Sequence, residues 1–328
     1  MKTLFDSTKL GELTLKNRFI RAAIHEKVSQ GQINDTIYDT YTKLAQGGVG
    51  TIITGFTLVD EREKQFPLMA FYDDTFFNGH KMLVDLVHKN DTNIILQLVY
   101  VGSYVMGDST EMTILGPSAV ENKNTKIIPA EITVEQIKKI QTKFADAALR
   151  AKGAGYDGIE LHAAHGFLLS QFMTPYYNCR EDLYGGTVQN RSRMTLETYD
   201  LIRKTVGNDF SIWIKINVTD GFENGVSFDD VLYLCKELTK RGINAIEISG
   251  SWAKFTLETT SFFKDEAARI AAENDTAVIL TGGNKYFKEM TEIVNATKIA
   301  YFGMARPFMK EPDLINRFEK EFRNTQVH

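Results

Sequence analysis

Two histidines stand three residues apart in His162-Ala-Ala-His165, at the end of an apolar run that begins at Gly158. Imidazoles so placed can ligate a metal, donate to a substrate oxygen, or sit as satisfied core groups. A metal needs a third ligand, and no other His, Asp or Glu cluster in the sequence offers one. As a pair leaving one strand, they read best as donors to a carbonyl or phenolate oxygen. Lys215 lies in Ile212-Trp-Ile-Lys-Ile216, where a buried ammonium needs an anionic partner unless it snorkels to the rim. Gln97, inside an apolar run from Ile94 to Val99, likewise needs a hydrogen-bonding partner. Gly282 and Gly283 let the backbone approach an anion closely, and Arg306 can fork onto it, which makes a candidate phosphate cradle. Asp157, Glu160 and Asp220 read as structural or rim carboxylates.

Short β-branched runs that alternate with amphipathic segments must position these groups. The strand candidates are Arg18–Ala22, Val49–Thr54, Thr92–Leu98, Gly158–His162, Ser211–Asn217, Ala245–Ser249, Ala277–Thr281 and Ile299–Met304. Most are continuously apolar, as parallel strands covered on both faces should be. Thr133 with Gln136 forms a capping box, and Val134, Ile137, Ile140, Phe144, Ala147 and Ala151 follow at helical spacing. Ser227 with Asp230 opens a similar segment, whose Phe228, Val231, Cys235 and Leu238 share a face until Gly242 stops it. Eight strand signals alternating with helices, without a linker, predict a (β/α)8 TIM barrel over residues 1–328 as a single domain. A doubly wound sheet is the alternative. Gly153-Ala-Gly-Tyr-Asp-Gly158 has dinucleotide-fingerprint spacing, but it leaves a helix and enters a strand, so it reads as a helix stop and turn.

Barrel active sites form where strands end. The segments there are Ala22-Ala-Ile-His25, Gln97-Leu-Val-Tyr100, His162-Ala-Ala-His165, Lys215 with Asn217, Ser249-Gly-Ser251, Thr281-Gly-Gly283 and Gly303-Met-Ala-Arg306. Three of the six histidines fall at these ends, which marks one site. A flavin would give Gln97 partners along its pyrimidine edge, while its phosphate suits the glycine–arginine cradle. Composition fits a small-molecule enzyme: 43% apolar, 24% charged, and a net charge of −4 with no basic run to attract nucleic acid. Cys179 and Cys235 are too few for a disulfide framework, no signal-peptide run opens the chain, and no apolar stretch spans a bilayer. The expected compartment is the cytoplasm, with homo-oligomerisation left open.

At this point the sequence resembles the old yellow enzyme family of FMN-dependent ene-reductases. The resemblance rests on His162-Ala-Ala-His-Gly-Phe-Leu-Leu-Ser-Gln-Phe-Met-Thr-Pro-Tyr-Tyr-Asn178, with Arg180, Asp182, Tyr184-Gly-Gly186, Asn190 and Arg191. Leu15-Lys-Asn-Arg18, Gly116-Pro-Ser118, Gly282-Gly283 and Ala305-Arg-Pro307 support it across nearly the whole chain. It implies non-covalent FMN, reduced by NAD(P)H and reoxidised by a small-molecule electron acceptor. Ala22, Ala23 and Ile24 would line the flavin through backbone groups, and Gln97 would bond its pyrimidine edge. Lys215, where many relatives carry arginine, would stabilise charge near N1. Gly282, Gly283, Ala305 and Arg306 would hold the phosphate. His162 and His165 would polarise the acceptor, with His25, Tyr100 and Phe167 lining its side.

Two departures matter. Relatives commonly place a proton-donating tyrosine two residues after the second histidine, where this chain has Phe167, which has no proton to give. Tyr100, Tyr104, Tyr177 or water might substitute, or the acceptors are quinones, nitro compounds or flavins that need no proton there. His25 stands where some relatives carry a redox-tuning cysteine, and it either modulates the site or packs. With no cysteine cluster, the chain reads as a member without the iron–sulfur extension, reduced directly by nicotinamide. The brief Gly250–Thr260 loop suggests an open mouth. The rival readings are a metal-dependent barrel hydrolase using His162 and His165, and a flavoprotein kept for binding or sensing.

Overall fold

The computed structural model describes residues 1–105, 112–250 and 260–326. Eight parallel strands close on themselves. They are β1 (Phe19–Arg21), β2 (Thr51–Ile53), β3 (Asn93–Val99), β4 (Gly158–Ala163), β5 (Ser211–Asn217), β6 (Ala245–Ser249), β7 (Ala277–Thr281) and β8 (Tyr301–Met304). Each pairs with the next in sequence, β8 pairs with β1, and β3 pairs with β4 to complete the ring. The expected barrel is therefore closed, and the doubly wound sheet is excluded. Three strands match the expected bounds, while β1, β2 and β8 are shorter than expected.

Helices α1 (Asp35–Gln46), α2 (Phe77–His88), α3 (Val134–Ala154), α4 (Arg193–Val206), α5 (Phe228–Lys240), α6 (Lys264–Glu273), α7 (Phe287–Ala296) and α8 (Leu314–Gln326) follow the strands in turn. Both expected capping boxes form, at Thr133 and at Ser227. The expected face of α3 is buried from Ile137 to Ala151, with Val134 left exposed at its first turn. Gly155, left-handed at φ 93°, ends that helix, so the fingerprint-like glycines are the stop and turn their order implied.

Side chains alternate across a strand, so the inward positions fill the barrel in layers. The floor is apolar: Ile20, Ile53, Ile95, Trp213, Ala245, Ile279 and Tyr301 pack with Leu10 and Leu15. Those two leucines come from a hairpin, Thr8–Leu10 with Leu13–Leu15, that closes the amino end of the barrel. Two residues further along their strands come Gln97, Lys215, Glu247 and Thr281, with Glu160 two beyond Gly158, all buried. A second step on β4 reaches His162. The sequence thus places an apolar plug below, a polar layer above it, and the histidine at the open end.

The segment after β1 is fastened to its neighbours by a buried charge cluster. Arg21 donates to the carbonyl of Ile53 at 2.7 Å and pairs with Glu26. The Tyr41 hydroxyl, from α1, donates to Glu26 Oε2 at 2.7 Å and accepts from the N–H of Gly55 at 2.9 Å. A Cβ at Gly55 would lie 2.6 Å from Glu26 Oε2 and 2.9 Å from the carbonyl of Ile24, so only glycine fits. This cluster holds Ala22–His25 at the end of β1. Tyr41→Phe removes a charge-assisted bond and orphans a buried N–H, and should cost about 2 kcal/mol. Urea unfolding checks it; a loss below about 0.5 kcal/mol would show that the hydroxyl braces nothing.

Candidate active site

His162 is 1% exposed. Its Nδ1 accepts from the N–H of Ala164 at 3.3 Å, which leaves the ring proton on Nε2. That Nε2 is buried without a partner. An unpaired buried donor is costly, so a ligand acceptor is what it lacks. His165 takes a left-handed backbone, φ 58°, which turns the chain sharply out of β4. Its N–H donates to Asn217 Oδ1 at 3.2 Å, and its Nε2 lies 3.0 Å from Ser249 Oγ. Asn217 is held in turn by Asp220, which also accepts from Thr174 and from the N–H of Val226. Asp220 is therefore structural, as expected, and so is Asp157, which accepts from His88 and from the N–H of Ile94. Burial, reinforced by the charge of Lys215, holds the His162 imidazole well below its ordinary range and takes His165 down to about 3. Both rings are neutral donors at physiological pH.

Aromatic rings wall this corner. Phe167 meets His162 edge-on, with ring centroids 4.6 Å apart, and touches Phe56 and Tyr104 at 5.5 Å each. Phe56 stacks on His25 at 5.9 Å. Phe167 is buried, so it shapes the pocket of His162 and exposes little face to a substrate. The Tyr100 side chain is buried, and its phenol is pushed well up by burial and by Glu63. Glu63 accepts from the N–H groups of Val101 and Gly102 and so anchors the loop that follows Tyr100. Tyr177 accepts from the N–H of Lys123 and packs on Tyr176 and Phe222. Of the three candidate tyrosines, Tyr104 is the one in contact with the histidine-side wall.

The polar layer revises two expectations. Lys215 does meet an anion, but it is Glu247, with Nζ 2.7 Å from Oε1 and both side chains buried. Gln97 gives its amide N–H to Glu160 at 2.6 Å, so a ligand would find only its Oε1, which is buried and unpartnered. Glu160 is no rim carboxylate; it faces the interior with no exposed surface. Glu247 escaped the sequence reading. Its signal was legible, since an acidic residue in Ala245-Ile-Glu-Ile-Ser249 is as anomalous as the lysine beside it.

At the far side, Gly282 (φ 117°) and Gly283 (φ 81°) make a turn that other residues rarely adopt. A Cβ on Gly283 would come within 2.9 Å of the N–H of Ser261 and of the Phe262 ring. Asn284 fixes the turn by donating to the carbonyls of Leu280 and Gly303. Ala305 precedes the short helix Arg306–Lys310, and Arg306 is exposed to solvent. Ala22 is buried and bonded to the Met304 carbonyl, while Ala23, Ile24 and His25 are partly open. Ser251 and most of the Gly250–Thr260 loop lie outside the described residues. The donor set fits a flavin mononucleotide: an unpartnered amide oxygen and ammonium layer within, open backbone at Ala23 and Ile24, and a glycine turn beside an exposed arginine. Among the described residues, no group of three His, Cys, Asp or Glu side chains is arranged to hold a metal.

Residues 3–325 match the family described as the NADH:flavin oxidoreductase / NADH oxidase family. The chain belongs to that family. It is 32% identical over 324 residues to a metal reductase of Desulforamulus reducens, covering 97% of this chain and 48% of the relative. It is 31% identical over 332 residues to the NADH-dependent flavin oxidoreductase nadA of Aspergillus parasiticus, covering 92% of this chain and 74% of the relative. The chain thus spans about half the length of the first and most of the second. The fold matches the old yellow enzyme from Pichia sp. AKU4542 with a TM-score of 0.85 at 26% identity, over 97% of this chain and 87% of that one. The old yellow enzyme resemblance and the barrel stand with this membership, as does the family's FMN. Much of the family signature proves to be bracing. Asn178 donates to the carbonyls of Phe172 and Tyr184, Arg180 to those of Pro117 and Ile132, and Arg191 to that of Met173. These bonds fix the segment that follows His165.

Neutral histidines make a pH prediction. Because both imidazoles take up protons only far below their usual value near 6.5, the affinity for an un-ionised phenol should stay flat between about pH 5 and pH 8. Fluorescence titration of a phenolic probe checks this. An inflection near the ordinary imidazole value, lost in His162→Ala/His165→Ala, would show that the rings charge in this window.

Proposed function

We propose that this protein is an FMN-dependent NAD(P)H oxidoreductase of the old yellow enzyme type, acting on electron-poor enones, quinones or nitro compounds. The observation that carries the reading is His162 Nε2, a proton-bearing donor buried at the open end of the barrel with nothing to bond. When bound, FMN supplies the hydride relay between reduced nicotinamide and the acceptor. The chain's own groups do the rest. His162 and His165 bind and polarise the acceptor's oxygen, and they stabilise negative charge developing there without themselves giving up a proton. Lys215, the Oε1 of Gln97 and the backbone from Ala22 to Ile24 would hold the ring, while Gly282, Gly283, Ala305 and Arg306 would hold the phosphate. His25 and Phe56 close one side.

An enone also needs a proton, and Phe167 cannot give it. We assign that role to Tyr104, a reading supported by its contact with Phe167, and burial raises its phenol further above its ordinary value. The metal-hydrolase reading has no third ligand among the described residues to support it. The sensing reading is separated by reoxidation of the anaerobically reduced protein, since a sensor would be reoxidised rapidly by neither an enone nor a quinone.

A general acid is worth about a hundredfold or more. Tyr104→Phe should therefore slow enone turnover by about that factor and leave quinone turnover near wild type, in stopped-flow reoxidation of reduced protein. Equal slowing of both acceptors would remove Tyr104 from the proton step. Arg306→Ala should weaken FMN retention by roughly tenfold or more, a loss of one charge-assisted contact. Ultrafiltration followed by flavin absorbance measures it, and undiminished retention would move the phosphate elsewhere.

A further inference from the structure

The layer below His162 takes one ammonium and two carboxyls out of water. Lys215 and Glu247 are 2.7 Å apart, with side chains 4% and 0% exposed. Glu160 is equally buried and accepts from the neutral amide of Gln97. The remaining oxygens, Glu160 Oε1 and Glu247 Oε2, are both buried with no other partner. The two carboxyls lie within hydrogen-bonding reach of each other. Two facing carboxylate oxygens repel, whereas one proton between them satisfies both. Burial and the neighbouring Glu247 drive the Glu160 carboxyl well up, while Lys215 favours the ionised form of Glu247. The other groups facing the layer bring no charge: Thr281 carries only a hydroxyl, and His162 and His165 are neutral.

We infer that Glu160 and Glu247 hold a single negative charge and one shared proton, and that this charge offsets Lys215 and so lowers the reduction potential of FMN bound above the layer. The inference rests on the proposed FMN site. Neither glutamate touches the reacting atoms; both act through Lys215. Charge balance makes the carboxyls interchangeable. In Glu160→Gln the charge stays on Glu247. In Glu247→Gln the proton leaves Glu160, which becomes the counter-charge to Lys215. Only the double variant leaves the ammonium unmatched in a low-dielectric interior.

The experiment measures the potential of the bound flavin in wild type, both single variants and the double, by anaerobic equilibration with a reference dye. Each single variant should keep the reduced-to-oxidised ratio within about threefold of wild type, against a tenfold change of ~30 mV for a two-electron couple. The double variant should shift that ratio at least about tenfold toward reduced flavin. Two equal additive steps, or one single variant moving as far as the double, would overturn the shared charge. A double variant at the wild-type potential would overturn its action through Lys215. Infrared spectra supply a second reading that needs neither flavin nor the double variant. Burial also pushes the Glu63 carboxyl up to about 8, so its band is common to all variants. A further deuterium-sensitive band of an un-ionised carboxyl, present in wild type at neutral pH, should be lost from the difference spectrum of each single variant, and its survival in both would overturn the shared proton. Wild-type protein that binds no FMN would count against the cofactor site and leave the infrared result to decide the proton.

Discussion

Closing eight parallel strands into a ring leaves each strand only a few inward positions, and the functional side chains of the interior must occupy them. The ring closes on itself, and at its floor Trp213, Ile95 and Ile279 pack against the leucines of the amino-terminal hairpin. Any polar group above that floor has to find its partner inside. That requirement explains why Gln97 reaches Glu160 and why Lys215 reaches Glu247 across adjacent strands. The same alternation that seats these groups one step above the floor carries His162 one step higher, to the mouth. Site and core are therefore one stack of layers, ordered by the pleat.

The mouth depends on bracing from outside the barrel. His165 can hold its left-handed backbone because Asn217, Asp220 and Thr174 secure the turn, and because Asn178, Arg180 and Arg191 fix the segment beyond it. On the opposite side, Arg21, Glu26 and Tyr41 pin the end of β1, where a flavin would meet the backbone. Much of the sequence signature that first suggested the family thus serves to hold a loop. The proposed chemistry would rest on fewer residues: two neutral imidazoles, an ammonium whose charge is matched, and a wall of aromatic rings.

Electrostatics give the site its character. Burial removes positive charge from His162 and His165, which makes them donors that do not compete with a proton-transfer group. Where relatives commonly place a tyrosine, Phe167 packs edge-on against His162 and adds no proton. On the proposed reading, an acceptor that needs a proton would have to take it from a residue other than Phe167, which would separate such acceptors from those that need none.

The sequence by itself determined eight covered parallel strands alternating with helices, because continuous apolar runs between amphipathic segments need cover on both faces. That the sheet closes into a ring was decided by the pairing of β8 with β1. It also marked the strand ends, the histidine pair, the glycine turn and the anomaly of Lys215, since each is a local departure from an otherwise apolar or helical pattern. Pattern carries no information about who faces whom. Only the closed ring decided that the anion for Lys215 is Glu247, that the Gln97 amide donates to Glu160, and that Tyr104 packs against Phe167. Those outcomes depend on the register between strands distant in sequence, and register is set by the packing of the whole barrel.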